Sequence, residues 1–366
     1  MPSSTSSFKT YQIERIVPRH HWLRIAGITL VVTLALTLGW ETYCRSLGYG
    51  PTLNDTSDLW ASRRAVLDQE PDRTVLIGAS RTLYDIDLDI YEKALGERPL
   101  QLATVGTNPG PYLEDLANHP EFSGTVIVGV VPGLFFAPGG PPVNKPQGNL
   151  KRYREWSPTQ QIGHRLAVFL ESRLAFLQQE DLTLNQLLLS LEIPNRPHAK
   201  VPPKLPPYFY VIDEERQAGM TDFAEQNAEI QKRIQQIWLP LFTPPPFPPG
   251  LSGAEIHERI KKMADDILAA TKRRVDAIRK RGGKVVFVRY PSTGGLRELE
   301  SKITPRKAYW DRILEVTGAP GIHFEDYPQL RDFDCPEWSH LTKADATRFT
   351  RHLTVLFQKF RSEGRI

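Results

Sequence analysis

The sequence predicts an α/β fold in which one N-terminal membrane-spanning helix precedes a parallel sheet, and a helical, Pro-rich insertion interrupts that sheet. Short apolar runs rich in β-branched residues, separated by helical stretches, predict the sheet. A long uncharged run near the N-terminus predicts the membrane helix. The chain has 366 residues, of which 40% are hydrophobic and 24% are charged, so it can form a sizeable core.

The membrane helix is predicted over residues 25–43 (IAGITLVVTLALTLGWETY). Its uncharged part is about 16 residues long, or roughly 24 Å of helix. Trp22, Trp40 and Tyr43 suit the two membrane interfaces. A cleaved signal peptide and a buried core helix are the alternatives. No A-x-A cleavage pattern follows, and the run is longer than a usual signal core, so we expect an uncleaved anchor.

Charges on the two sides of this segment predict its orientation. The residues before it are basic, and those just after it are mostly acidic: Lys9, Arg15, Arg19 and Arg24, then Glu41, Arg45, Asp55 and Asp58. The cationic side of a membrane helix stays in the cytoplasm. Residues 1–24 are therefore predicted to be a cytoplasmic tail. The chain from residue 44 onward is predicted to be periplasmic or extracellular, held by a single pass through a bacterial inner (plasma) membrane.

Four apolar runs are predicted strands: 74–80 (TVLIGAS), 100–106 (LQLATVG), 125–131 (TVIVGVV) and 284–291 (KVVFVRYP). Helices are predicted around 112–116, from 252 to the Gly282-Gly283 pair, around 307–316, and from Thr342 to near the end of the chain. Residues 44–135 and 252–366 thus form two parts of one domain. Residues 136–251 are read as the insertion, with a loop over 137–148 and helical stretches over 159–192 and 221–238.

Composition and motifs exclude several classes of function. The net charge is +4 and no dense Lys/Arg run appears, which argues against nucleic-acid binding. The sequence contains no HExxH, no P-loop and no GxGxxG after a strand, so we predict no metal and no cofactor. Cys44 and Cys335 are the two cysteines. A disulfide between them stays possible in an oxidising compartment.

The first motif that could carry chemistry is Gly78-Ala79-Ser80-Arg81, at the end of the first predicted strand. Ligands of open α/β sheets bind at the carboxyl ends of the strands. A serine there is exposed, and its amide can face a developing oxyanion. On its own, the motif is also consistent with a tight exit from a strand into a loop.

The second motif is Glu337-Trp338-Ser339-His340-Leu341, just before the last predicted helix. His340 is a candidate base for a serine, and Glu337 three residues earlier is a candidate to orient the imidazole. Asp334 is a second candidate for the orienting acid. A surface turn is the alternative interpretation of an isolated ExxH pattern.

Together the two motifs resemble the SGNH-hydrolase superfamily, in which a G-x-S block lies near the start and a D-x-x-H block near the end. IGASR early and SHL before a terminal helix are most similar to its membrane-anchored branch, which includes the teichoic-acid D-alanylation and alginate O-acetylation proteins. The resemblance covers residues 72–135 and 252–360. It implies a three-layer, flavodoxin-like sheet, with Ser80 as nucleophile and His340 as base. Glu337 stands where the family usually has Asp.

The resemblance also implies an oxyanion hole, to which Gly106 would contribute its amide. The family's third block normally supplies an Asn, but the third strand here runs into Val130-Val131-Pro132-Gly133. Asn108 is the candidate replacement. Arg81, and Arg289 at the end of the fourth strand, are candidate substrate-binding residues, since Arg pairs well with carboxylates and phosphates. A solvated loop with local ion pairs is the alternative for Arg289.

The implied function is hydrolysis or O-acyl transfer at an acylated cell-envelope carbohydrate, alongside a multi-span membrane partner that exports the acyl group. The missing Asn and the Glu in place of Asp leave a second hypothesis open. In that hypothesis, the protein is a catalytically inactive SGNH-like binding or scaffold protein of an envelope polysaccharide assembly.

Overall fold

The computed structural model describes residues 20–183, 187–188, 208–244, 250 and 252–366. The chain divides into two compact units, Met1–Leu47 and Gly48–Ile366. The first unit contains helix α1 (Trp22–Ser46). This helix is long and apolar enough to cross a membrane, judged by length and composition, and its most apolar window is fully exposed. The hydroxyls of Thr37 and Thr42 donate to backbone carbonyls one turn earlier, at 2.9 and 2.7 Å, so neither requires a partner from outside the helix.

The second unit is built on a five-stranded parallel sheet with the order β2-β1-β3-β6-β7. Its strands are β1 (Val75–Ile77), β2 (Leu100–Gln101), β3 (Thr125–Gly129), β6 (Lys284–Arg289) and β7 (Gly321–His323). The α/β prediction is confirmed, and each of the four predicted strands lies in this sheet. The strand order reverses direction between β1 and β3, where doubly wound sheets bind their ligands.

Alternate residues of each central strand enter two separate cores, as the period of two in a β-strand requires. Val126 and Val128 of β3 pack in one core, with side chains from the helices Gly110–Asn118, Gly253–Lys280 and Trp310–Thr317. Ile127 packs in the other, with side chains from the helices Leu88–Leu95 and Lys343–Ser362. Helices therefore cover both faces of the sheet. This double burial explains why the strands read as unbroken apolar runs.

In chain order, the helices of the second unit are α2 (Ser57–Arg64), α3 (Ser80–Tyr84), α4 (Leu88–Leu95), α5 (Gly110–Asn118), α6 (Pro132–Phe135), α7 (Pro141–Arg154), α8 (Pro158–Glu171), α9 (Gln179–Leu182), α10 (Asp222–Gln226), α11 (Ala228–Phe242), α12 (Gly253–Lys280), α13 (Gly294–Ile303), α14 (Trp310–Thr317), α15 (Pro328–Arg331) and α16 (Lys343–Ser362). Single 3₁₀ turns lie at Ala65–Asp68, Ala175–Leu177, Arg306–Ala308 and Phe324–Asp326.

Several boundaries differ from the sequence-based predictions. The predicted loop over 137–148 is mostly helix α7, because Pro141 and Pro142 occupy its first turn, where a missing N–H costs nothing. The stretch predicted as helical over 159–192 is interrupted after Glu171, where α8 ends, and resumes as the short α9; 184–186 and 189–192 lie outside the described residues. The stretch over 221–238 is divided at Asn227, whose side chain caps α11. Strand β7 was not predicted, because Gly321–His323 does not lie in an apolar run of the kind that marks the other four strands.

Residues 208–244 contain a small hairpin and α11. The hairpin pairs β4 (Tyr210–Ile212) with β5 (Ala218–Met220) in antiparallel fashion. Buried residues of this region, including Phe209, Met220 and Trp238, share a third core with Leu83, Tyr84 and Leu296 of the sheet-bearing part. The stretch predicted as an insertion therefore packs against the end of the sheet that carries the serine motif.

Candidate active site

Ser80 is the first residue of α3, three residues beyond the last residue of β1. Close packing around two glycines determines this position. A Cβ atom at Gly78 would lie 2.1 Å from Thr82 Oγ1, and one at Gly129 of β3 would lie 1.7 Å from the same atom. Only glycine fits at both positions. The glycine before Ser80 thus lets the chain turn closely between two strands, and Ser80 is left partly exposed at the carboxyl end of the sheet.

His340 comes from the far end of the chain, yet its Nε2 lies 2.8 Å from Ser80 Oγ. Its Nδ1 lies 3.0 Å from Glu337 Oε1. An ionised carboxylate only accepts hydrogen bonds, so Nδ1 donates to Glu337 and Nε2 accepts from the Ser80 hydroxyl. A serine, an imidazole and a carboxylate thus form one continuous hydrogen-bonded row, in which His340 and Glu337 are buried.

Glu337 is held by donors alone. Its Oε1 also accepts from the backbone N–H of Ser339, at 3.2 Å, and from that of His340. Its Oε2 accepts from Trp238 Nε1. Between Glu337 and His340, Trp338 takes a left-handed conformation with φ +78°. This region is unfavourable for a bulky residue by about 1–3 kcal/mol, and it closes the turn that brings the carboxylate back onto the imidazole.

Three aromatic rings enclose the imidazole of His340. Ring-centroid distances are 4.9 Å to Tyr84, 5.9 Å to Phe209 and 5.8 Å to Trp238, all edge-on. Phe209 and Trp238 belong to the stretch predicted as an insertion. Neither was predicted in this role, because no sequence signal relates α11 to the distant His340. The inserted residues therefore build one wall of the candidate site.

The other candidate acid, Asp334, is exposed, and the carboxylate oxygen that bonds the imidazole belongs to Glu337. We therefore assign the orienting position to Glu337. The difference is geometric, because the strained turn at Trp338 folds residue 337, and not 334, back onto the ring.

Of the two candidate oxyanion residues, Gly106 lies in an exposed turn after β2, with φ +71°. Its loop is fastened beside the serine loop, since Thr104 N and Thr107 Oγ1 both donate to Gly78 O, at 3.1 and 3.3 Å. Asn108 has a different role. Its Nδ2 donates to the carbonyls of Phe135 and Ala137, and its Oδ1 accepts from Gly110 N. Its amide therefore holds the loop together and is not directed at Ser80.

The two candidate substrate-binding arginines are both buried. The guanidinium groups of Arg81 and Arg289 pair with the two oxygens of Glu300, that of Arg81 at 2.8 Å. Ser292 Oγ donates to Glu300 Oε2 at 2.7 Å. Arg81 Nε also donates to Ser339 O at 3.1 Å, which connects this cluster to the turn that carries His340. We therefore assign both arginines a structural role in place of the substrate contact suggested by the sequence.

Two buried carboxyl groups beside the site have pKa values shifted in opposite directions. Burial alone would raise the pKa of Glu300, but the charges of Arg289 and Arg81 outweigh it and lower that pKa to about 2. Burial raises the pKa of Asp85 well above its usual range, although Asp85 accepts from Leu341 N at 3.0 Å and lies near Arg81. Glu300 is thus a fixed anion, whereas Asp85 favours its neutral form.

His323 and the two cysteines take no part in this row. His323 is buried between Trp310 and Phe324, and its Nδ1 accepts from Glu325 N. Burial lowers its pKa to about 2, so it is a neutral packing residue. Cys44 and Cys335 are free thiols. Within the described ranges, no group of three or more His, Cys, Asp or Glu side chains is placed to hold a metal ion.

Comparisons of the chain with protein-family models, curated proteins and solved structures find no match.

Proposed function

We propose that residues 48–366 form an acyl-ester hydrolase or O-acyltransferase of the SGNH-hydrolase type, which acts on acylated cell-envelope carbohydrate. The observation that carries this proposal is the hydrogen-bonded row of Ser80, His340 and Glu337, with 2.8 and 3.0 Å between successive side chains. A hydroxyl, an imidazole and a buried carboxylate in this order form the arrangement that activates a serine nucleophile.

In the proposed mechanism, Ser80 Oγ attacks the ester carbonyl while His340 Nε2 takes the hydroxyl proton. Glu337 keeps the imidazole in the required tautomer and stabilises the imidazolium that forms. The backbone amides of Ser80 and Gly106 would receive the oxyanion of the tetrahedral intermediate. Its collapse breaks the bond to the leaving alcohol, which takes the proton from His340. The acyl group on Ser80 then passes to water or to a sugar hydroxyl. His340 accepts the proton of the attacking hydroxyl and returns it to Ser80 Oγ as the bond to the acyl group breaks.

The fold and the N-terminal helix support this assignment. Ser80 lies at the reversal of a sheet whose strand order, counted within the sheet, is 2-1-3-4-5, the flavodoxin-like order expected of a three-layer SGNH fold. Helix α1 would anchor the chain in a bacterial inner membrane with the catalytic unit on the outer side. That location suits a polymer of the envelope as substrate, and a multi-span membrane protein as the supplier of the acyl group.

A serine-directed fluorophosphonate probe tests the proposal on the full chain in detergent. We expect wild type to be labelled, and labelling to be lost in Ser80→Ala and reduced about 10²–10⁴-fold in rate in His340→Gln, which removes the general base. Ser172→Ala, which changes an exposed serine at the end of α8, is the matched control and should label normally. A folded wild type that the probe does not label would refute the hydrolase proposal.

One observation favours the inactive binding or scaffold protein as a second candidate. The side-chain amide of Asn108 is committed to backbone carbonyls, so it adds no donor to the oxyanion hole. One such donor is worth about 2.7–4 kcal/mol. An unlabelled but folded wild type that still binds acylated envelope polysaccharide would support this candidate.

A further inference from the structure

Helix α8 (Pro158–Glu171) presents its large apolar side chains to the outside. The exposed fractions of Ile162, Leu166, Phe169 and Leu170 are 68, 57, 54 and 36%. Their spacing of i, i+4, i+7 and i+8 places them on one face of the helix. The one residue of α8 classed as buried is an acid, Glu171. The largest apolar side chains of the helix thus face outward, whereas those of an ordinary surface helix pack inward.

The inner face of α8 carries both polar and apolar side chains, and Val168 packs against the third core. Two cavities of about 240 and 930 Å³ lie along it, and His164 lines both. The helix is nevertheless well defined at its start, where Ser157 and Gln160 form a capping box. The apolar stripe is therefore exposed on a helix whose first turn is stabilised by its own capping residues. A contiguous apolar stripe on such a helix indicates a partner surface.

The charges beside the stripe are basic. Arg165 lies on the exposed side of α8, and the guanidinium group of Arg173 lies 4.0 Å from the centroid of the Phe169 ring. From Pro158 to Leu174 the single acid is the buried Glu171. An apolar stripe flanked by arginines and free of exposed acids is the composition of helices that lie in the interface of a bilayer containing anionic lipids.

The C-terminal end of α8 is fastened to the first residues of its unit. Glu171 Oε2 accepts from Asn54 N at 3.0 Å. Just beyond α8, Gln178 Nε2 donates to Gly50 O at 2.8 Å. Gly50 and Asn54 follow Leu47, the last residue of the anchor unit, by three and seven residues. The end of α8 is thus hydrogen-bonded to residues that directly follow the anchor unit in the sequence.

We propose that the α8 stripe (Ile162, Leu166, Phe169 and Leu170) is a second membrane contact, which inserts into the interfacial region of the bilayer crossed by α1. The contact would restrain the second unit at the membrane surface, where a lipid-linked or membrane-proximal polymer is presented. The inference rests on the anchoring part of the proposed function and is independent of the chemistry at Ser80.

The test uses the full chain in nanodiscs of phosphatidylcholine and phosphatidylglycerol, with Cys44 and Cys335 replaced by Ala. An environment-sensitive fluorophore is attached through Leu166→Cys or, as the matched control, through Val355→Cys on α16, where the native valine is 59% exposed. We expect nitroxide-labelled lipids to quench the probe at 166 several-fold more than the probe at 355. Adding Ile162→Ser and Phe169→Ser should abolish the difference.

Equal quenching at the two positions would overturn the proposal. A blue-shifted probe at 166 that lipid nitroxides do not quench would also overturn it, and would indicate a protein partner such as a second copy of the chain. Co-elution of the protein with the nanodiscs tests membrane insertion of α1 separately. A protein that does not co-elute would overturn both the anchor and the α8 contact. Loss of fluorophosphonate labelling would leave the α8 result unaffected.

Discussion

Two polar clusters lie side by side at the carboxyl end of the sheet, and adjacent residues begin them. Ser80 starts the row with His340 and Glu337, whereas Arg81 starts the cluster with Glu300 and Arg289. The first cluster ends at a partly exposed hydroxyl. The second is closed, because both oxygens of its carboxylate are occupied by buried partners.

The two clusters differ in exposure and in how many of their polar groups are already paired. This difference separates a cluster that can react from one that stabilises its neighbour. Buried charges are stable only when they are paired and hydrogen-bonded. The arginine cluster meets that condition through Glu300, although Nη1 of Arg81 is buried without a hydrogen-bond partner. The serine row keeps one nucleophilic atom at the surface. Arg81 links the two clusters through Ser339, so the closed cluster supports the turn of the open one.

The largest expected effect comes from breaking the closed cluster. Glu300→Gln leaves two buried guanidinium groups without their counter-charge, so we expect a loss of about 3–5 kcal/mol in the free energy of unfolding, measured by denaturant titration. Glu298→Gln, an exposed change on the same helix, should stay within about 0.5 kcal/mol of wild type. Replacing Arg81, Glu300 and Arg289 together by Met, Leu and Met should recover much of the loss. A Glu300→Gln protein as stable as wild type would contradict the structural role.

The destabilisation of Glu300→Gln relative to wild type should depend on pH. The pKa of Glu300 is lowered from its usual 4.5 to about 2, so its stabilising contribution is complete above pH 4.5 and is lost as the pH falls from there to about 2. The stability gap between wild type and Glu300→Gln should therefore narrow across that window. A gap that stays constant down to pH 2 would indicate that the ionised carboxylate is not what stabilises the cluster.

A smaller effect is expected at Trp238, where the predicted insertion contacts the row of Ser80, His340 and Glu337. Trp238→Phe keeps a ring beside His340 but removes the donor to Glu337 Oε2, leaving a buried carboxylate oxygen unpaired at a cost of about 1–3 kcal/mol. Ester turnover should fall about tenfold, since about 1.4 kcal/mol corresponds to tenfold in rate. Trp310→Phe makes the same change in the core away from His340, and should lower stability without lowering turnover. Equal turnover in Trp238→Phe and wild type would refute the positioning role.

The smallest effect concerns Asp85, which bonds Leu341 N beside His340. Asp85→Asn keeps an acceptor oxygen and removes the buried ionisable group, so we expect stability at neutral pH to rise by about 1 kcal/mol. Asp85→Ala should lower it, because the Leu341 N–H loses its partner. Since burial raises the pKa of Asp85, wild type should gain stability as the pH falls through that raised value toward 3.8, and Asp85→Asn should lack this gain. Unfolding free energies of the three proteins across pH provide the measurement. A less stable Asp85→Asn protein would show that the carboxylate is favourable where it lies.

The site could be read from the sequence in part. The G-x-S block is recognisable by its glycine, and the ExxH block by the three-residue spacing between its acid and its histidine. Both motifs lie at the ends of regular elements. The choice between Glu337 and Asp334 was not readable, because it depends on the conformation of Trp338. Glu300, the partner of both arginines, could not be recognised from the sequence, because it lies among other charged residues in a stretch that reads as an exposed helix.

The sequence by itself determined the α/β class, the positions of four strands and the apolar helix near the N-terminus, because each depends on the pattern of apolar residues within one short stretch. Tertiary structure alone decided which polar groups meet. Ser80 and His340 are 260 residues apart, and the Trp238 that holds Glu337 lies 99 residues before it. Such contacts depend on how the elements pack around the sheet, and local propensity carries no information about that packing.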